Sequence, residues 1–156
     1  MELDAMDLAI IDLLQDDGRM TNADLAERIH LSQSACLRRV RRLEQDGVVE
    51  GYTMLVNQAA IGRPTSVFVE ITLNSQSEEG LDAFETAVRD CPEVMECYLM
   101  AGDDDYLIRI AMADAPHFEQ IHKTYMSRFP SVARIRSSFA LRTVKRKMKY
   151  VPGLGG

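Results

Sequence analysis

The chain has 156 residues, 46% of them hydrophobic and 27% charged. That length holds one ordinary domain or two small ones, and the balance excludes disorder, collagen-like repeats and a disulfide-framed miniprotein. Eighteen Lys and Arg against 24 Asp and Glu leave a formal net charge of −6, an average that argues against a nucleic-acid partner unless the charges are segregated along the chain.

No basic residue precedes Arg19, while Glu2, Asp4 and Asp7 come before it, so the N-terminus lacks the cationic start of a secretory signal. The longest apolar run is the five residues 97–101, far short of the roughly 20 that cross a bilayer. A cytoplasmic chain is expected. Cys36, Cys91 and Cys97 are odd in number and show no C-x-x-C spacing, which points to reduced thiols and away from a disulfide frame or a zinc site.

Leu3, Met6, Leu8, Ile10, Ile11 and Leu14 recur at mostly three- and four-residue intervals, predicting an amphipathic helix that ends at Asp16-Asp17-Gly18. Thr21 is a good N-cap for a second helix with Ala23, Leu25, Ala26 and Ile29 inward. After the brief His30-Leu31 connection, Ser32 caps a third helix that runs to Asp46. That helix buries Ala35, Leu37 or Cys36, Val40 and Leu43, and stops at Gly47. Residues 48–56 read as a strand, wing-like after a helix-turn-helix, and Gly62 and Pro64 mark a linker across 57–66.

Beyond the linker the period changes to two. Val67, Val69, Ile71 and Leu73 alternate as in a half-buried strand. Ser77 opens a helix through Arg89 with Leu81, Phe84 and Val88 on one face, ended before Pro92. Residues 94–101 and 106–112 read as strands joined by Gly102-Asp103-Asp104-Asp105. Asp114-Ala115-Pro116 starts a helix with Phe118, Ile121, Tyr125 and Phe129 inward, and residues 132–143 form the last strand. The order β-α-β-β-α-β is the ferredoxin-like arrangement, two helices on one face of a four-stranded antiparallel sheet. Apolar residues occur on both strand faces, Met95, Cys97 and Leu99 opposite Tyr98 and Met100, so a sheet-to-sheet homodimer is expected.

Charge and geometry coincide in the third helix. Residues 32–43 carry Arg38, Arg39, Arg41 and Arg42 and no acid, within a stretch 1–60 that holds six basic and eleven acidic side chains. A Ser-capped helix with Gln33 and Ser34 at its start has the polar tips and arginines that read base edges and hold phosphates. Its alternative is a solvated basic face pairing with Glu44 and Asp46.

The segments Leu3-Asp4-x-x-Asp7, Asp17-Gly18-Arg19, Asp24-Leu25-Ala26, Leu31-Ser32-x-Ser34, Cys36-Leu37-x-Arg39-Val40-x-Arg42-Leu43-Glu44, Gly47-Val48-Val49 and Gly51-Tyr52 resemble the N-terminal domain of the Lrp/AsnC (feast/famine) transcription regulators. The resemblance continues through residues 67–73 and Gly102-Asp103-x-Asp105-Tyr106-Leu107 and is closest to the leucine-responsive branch. It implies an α+β chain: an N-terminal winged helix-turn-helix followed by a ferredoxin-like βαββαβ ligand-sensing domain. The expected division is 1–50 for DNA binding, 51–66 for strand and linker, 67–148 for effector binding and oligomerisation, and 149–156 for a flexible tail. It also implies a regulator of amino-acid metabolism or transport genes, assembled as dimers and often octamers, with an amino-acid effector held between dimers.

On this expectation Gln33, Ser34 and Arg38 read base edges of double-stranded DNA. Ser32, Arg39, Arg42, Thr21 and Asn22 hold phosphate, with packing of some arginines against the first helix as the alternative. Carried over from the family, the effector turn falls on Gly102, Asp103, Asp105 and Tyr106, with Leu99 and Met100 before it and Ser138 and Phe139 as walls. Gly exposes backbone N–H groups to a carboxylate and an Asp can hold an α-ammonium. Asp104 stands where the family often has a bulky residue.

Three consecutive Asp on a tight turn lack the EF-hand pattern, His117 and His122 are five apart, and no phosphate loop or nucleophile elbow occurs, so neither a metal, a cofactor nor catalysis is expected. The alternative class is a regulatory subunit or small enzyme of amino-acid metabolism on a ferredoxin-like domain. From Arg134 to Lys149 there are seven basic residues and no acid, a solvated tail or a contact to DNA or a neighbouring subunit.

Overall fold

The computed structural model describes residues 2–151. They divide into two compact units, one formed by the chain up to Leu55 together with the stretch from Lys145 onward, the other by Val56–Val144.

The first unit contains α1 (Ala5–Asp16), α2 (Asn22–Arg28) and α3 (Gln33–Gln45), and each start is capped by a side chain. Asp4 accepts from the Asp7 amide at 2.9 Å while Asp7 accepts from the Asp4 amide at 3.1 Å, a reciprocal capping box. Thr21 and Ser32 cap α2 and α3 by accepting from the Asp24 and Ala35 amides. Between α2 and α3 the chain reverses through His30 in the left-handed region, φ 56°, where Leu31 N–H closes on the Ala26 carbonyl at 2.9 Å. Gly47, φ 72°, ends α3 in the same region. Ile10, Leu25, Ala26, Ile29, Cys36 and Leu43 form the core, each large apolar side chain contributing roughly 1.5–3 kcal/mol of burial.

Four sequence expectations are corrected here. Met6 and Leu37 are exposed and so is Ala23, whereas Asp7 is buried on the face of α1 that a helical wheel gives to Met6. Arginines from α3 solvate that carboxylate, so the polar residue turns inward and the apolar one outward. Of the pair Leu37 or Cys36, it is Cys36 that is buried. Residues 50–57 form no strand in the single chain, and Tyr52, Met54, Leu55 and Val56 are exposed, since a strand without a neighbour has nothing to satisfy its ladder.

The second unit is a four-stranded antiparallel sheet in the order β2-β3-β1-β4, built from β1 (Thr65–Leu73), β2 (Val94–Leu99), β3 (Tyr106–Met112) and β4 (Val132–Phe139). The connections carry α4 (Glu78–Arg89) and α5 (Ala115–Thr124), the latter followed by a 3-10 turn at Met126–Arg128. Val67, Val69, Ile71 and Leu73 of β1 and Tyr106, Ile108 and Ile110 of β3 face these helices, where Phe84, Val88, Ile121, Met126 and Phe129 complete the core. Register follows from this alternation, Phe68 lying opposite Arg109 and Ser138, and Glu70 opposite Leu107 and Arg136. The open face carries exposed Phe68 and Tyr98 beside charged residues.

The expected free tail is held at its start, with Lys149 and Tyr150 on α1. Residues 152–156 of that expected tail lie outside the described residues.

Candidate nucleic-acid interface and effector pocket

Ser32 sets the first turn of α3, its hydroxyl accepting from the Ala35 amide at 3.2 Å and lying 3.2 Å from Ser34 Oγ. Asn22 Nδ2 donates to the Gln33 carbonyl at 2.9 Å, tying the start of α2 to the start of α3. Thr21 donates its hydroxyl hydrogen to Asp24 at 2.6 Å. Both α2 residues therefore spend these donors on the framework.

The four arginines divide into two pairs. Arg39 reaches Asp4 at 2.7 Å and Asp7 at 2.8 Å, and Arg42 pairs with the other oxygen of Asp7. This is the packing alternative that the sequence left open for Arg39 and Arg42. The backbone amide of Asp7, then Arg39, hold the Asp4 carboxyl below its usual range. Arg38 and Arg41 point outward and carry no ion pair among the described residues.

Ser34, Leu37, Arg38, Arg41, Arg42 and Gln45 line one shallow groove along the outer face of α3. Helical spacing predicts that grouping, and it adds Leu37, Arg41 and Gln45 to the residues expected from charge alone. An exposed Leu among arginines is suited to apolar contact with a thymine methyl while its neighbours take guanine edges or phosphate. Beyond α3, Tyr52 donates to Glu44 at 2.9 Å, and burial with that carboxylate pushes its phenol up to about 12.

In the second unit, the β2–β3 turn encloses a cavity of about 190 Å³ lined by Glu70, Met100, Ala101, Gly102, Asp103, Asp104, Tyr106 and Leu107. Four expected effector residues, Met100, Gly102, Asp103 and Tyr106, line it together. Leu99 does not. It pairs with Tyr106 at the edge of the sheet.

Asp105 is buried and its carboxylate is occupied, accepting from the Leu73 amide and from Gln76 Nε2, both at 2.7 Å. Its own amide donates to the Ile71 carbonyl at 2.9 Å, and its carbonyl accepts from Met100 at 2.8 Å. The expectation that it meets a ligand ammonium is therefore corrected: Asp105 clips the turn to the end of β1. Tyr106 turns its ring into the core 4.6 Å from Phe84 and donates its hydroxyl to Glu85 at 2.9 Å. Burial first, then Glu85, raises that phenol's pKa.

Ser138 and Phe139 are also corrected as walls within one chain. They sit opposite Phe68 and Val67, beyond the Glu70–Arg136 pair that borders the turn, and Phe139 packs edge-on against Phe118 at 5.1 Å. Strand register decides this, because each step along β4 moves a side chain by about 3.4 Å.

Asp104, the residue that departs from the family pattern, accepts from Thr72 at 2.9 Å and pairs with Arg134 and Arg136 at 3.1 Å each. The Thr72 hydroxyl, then the two guanidinium groups, hold its carboxyl below the usual range. Arg136 also meets Glu70 at 2.6 Å. Of the three adjacent Asp side chains, Asp104 is thus held by the sheet and Asp105 by the end of β1. Asp103 and Asp104 both line the cavity, and no ion pair to Asp103 occurs among the described residues.

Both parts of the chain match known protein families. Residues 3–50 match a winged helix-turn-helix DNA-binding family and residues 66–150 match the Lrp/AsnC ligand binding domain. The chain is 39% identical over 143 residues to the Bkd operon transcriptional regulator of Pseudomonas aeruginosa, covering 92% of this chain and 94% of that one. It is 38% identical over 150 residues to the leucine-responsive regulatory protein of Escherichia coli, covering 96% and 92%. Among solved structures, a transcriptional regulator of Neisseria meningitidis in complex with L-Met superimposes with a TM-score of 0.87 at 32% identity, covering 94% of each chain. These relatives are regulators of transcription and not enzymes, and this chain belongs to the Lrp/AsnC family as a DNA-binding transcriptional regulator with a ligand-binding domain.

Proposed function

We propose that the chain is a sequence-specific regulator whose promoter occupancy or assembly state responds to a small amino acid, leucine-like or other, and that it controls genes of amino-acid metabolism or transport. The observation that carries this reading is the acid-free outer groove of α3, paired in one chain with a small cavity at the β2–β3 turn. Gln33, Ser34 and Arg38 read base edges and Ser32 faces phosphate at the start of α3, while Thr21 and Asn22 brace the framework behind them. The effector lies at Met100, Gly102, Asp103 and Tyr106, where the Asp103 carboxylate suits an α-ammonium and the turn's backbone amides suit a carboxylate. The L-Met complex of the Neisseria relative supports an amino acid as the ligand class.

Phe68 and Tyr98 on the open sheet face support a homodimer through that face, with dimers joining into octamers. Thermal-shift screening against the twenty amino acids, followed by light scattering and a gel shift with and without the hit, tests the proposal. A ligand bound only to the native state must raise the melting temperature. A hit that changes neither assembly nor DNA affinity overturns the sensing reading and leaves DNA binding intact.

A further inference from the structure

The first unit is acid-rich in total although its α3 face must approach a polyanion. Residues 2–55 hold eleven acids against six arginines, and two of those arginines, Arg39 and Arg42, are neutralised by Asp4 and Asp7. The stretch from Lys145 onward joins the same unit and brings Lys145, Arg146, Lys147 and Lys149 with no acid.

This stretch is fastened to α1. Lys149 Nζ sits between Asp12 at 2.9 Å and Asp16 at 2.7 Å, carboxylates four residues apart on one helix face. Gln15, between them in sequence, binds the peptide group of Tyr150 twice, its Oε1 accepting from the Tyr150 amide at 2.6 Å and its Nε2 donating to the Tyr150 carbonyl at 3.0 Å. Lys145, Arg146 and Lys147 remain exposed, and no acid pairs with them among the described residues. The clasp thus masks two carboxylates that would repel phosphate and shortens the free arm that carries the three cations. Past the end of α1, a Cβ on Gly18 would sit 3.4 Å from the ring of Tyr52, in the segment that follows the recognition helix.

We propose that Lys145, Arg146 and Lys147 form a second contact to the phosphate backbone of duplex DNA, held ready by the Gln15–Tyr150 and Lys149–Asp12/Asp16 clasp. Family matching assigns residues up to 150 to the ligand-binding domain, whereas their contacts put residues 145–150 to work in the DNA-binding unit. Pre-ordering matters because an arm already fastened gives up less freedom when it meets the backbone.

The test uses the full-length chain and a fluorescein-labelled duplex of mixed sequence, about forty base pairs long, read by anisotropy across a salt series. The triple substitution K145Q/R146Q/K147Q should make the log–log salt slope shallower by about 2–3 and weaken binding at low salt by about tenfold or more. Gln15→Ala, which changes no charge, should weaken binding about two- to fivefold on its own and have no further effect in the triple background. An unchanged slope in the triple variant overturns the proposal, as does a Gln15→Ala effect that persists undiminished in that background. A shift in oligomeric state by light scattering with the salt slope intact assigns the arm to a second copy of the chain instead, and also overturns it. Arg38→Gln in parallel separates this arm from the recognition helix, since loss there with an unchanged triple variant rejects the arm alone.

Discussion

Arg39 of α3 places Nη1 2.8 Å from Oδ1 of Asp7, a carboxylate of α1 that is fully buried. Asp7 also accepts from the Asp4 amide and from Arg42, so one buried charge fastens the start of the first helix to the middle of the recognition helix. Asp7→Ala leaves the Arg42 guanidinium and the Asp4 amide without this acceptor and leaves Arg39 with Asp4 alone. Urea unfolding of the full chain should show a loss of about 2 kcal/mol, in the range for buried hydrogen bonds to charged groups. A loss under about 0.5 kcal/mol would mean that the arginines find water at no cost.

Arg38 and Arg41 are the outward pair of the same helix. Arg38→Gln should cost binding to a preferred operator about 1–3 kcal/mol and blur discrimination at one base pair, as removal of a bidentate base contact does. Arg41→Gln should weaken binding to all sequences alike and reduce the salt slope by about one. Anisotropy titrations on operator and mixed-sequence duplexes distinguish the two. Equal losses on both duplexes for Arg38→Gln would move that residue to the phosphate set.

Asp105 predicts local loosening. Replacing it with Ala removes the acceptor of the Leu73 amide and of Gln76 inside a buried site, at a cost of about 1–3 kcal/mol. Hydrogen exchange should accelerate at Leu73 and across 100–105 before it does so in the core strands. Uniform acceleration over the whole sheet would show that the clip is not local.

The depressed pKa of Asp104 fixes a sign for pH dependence. A carboxyl that ionises more readily when folded contributes stability above its unfolded value near 3.9, and that contribution disappears as pH falls through the lower folded value. Between about pH 4 and 2 the melting temperature of the wild type should therefore fall more steeply than that of Asp104→Asn. Parallel curves would exclude the Thr72–Arg134–Arg136 cluster as the cause.

Element types and their order were legible because period, caps and stops agreed, as at Thr21, Ser32, Gly47 and Ser77. The inversion of Met6 and Asp7 was not, because it depends on arginines 32 and 35 residues away that solvate a buried carboxylate. Residues 48–56 show strand composition, but composition does not supply the neighbour that a ladder needs. At the β2–β3 turn the chain positions of Met100, Gly102, Asp103 and Tyr106 sufficed to group them along one cavity, since they are nearly contiguous. Ser138 and Phe139 depended on strand register, and the role of Asp105 on bonds to the end of β1 and the residues after it.

Because residues 145–151 pack with residues up to Leu55, the ligand-binding unit is an insertion in sequence between two pieces of the DNA-binding one. A fragment cut after residue 60 carries every residue of the helix-turn-helix and still lacks part of its own unit. Such a fragment is an unsuitable stand-in for the intact protein in DNA titrations, and a fusion placed just behind Val151 burdens the DNA-binding unit.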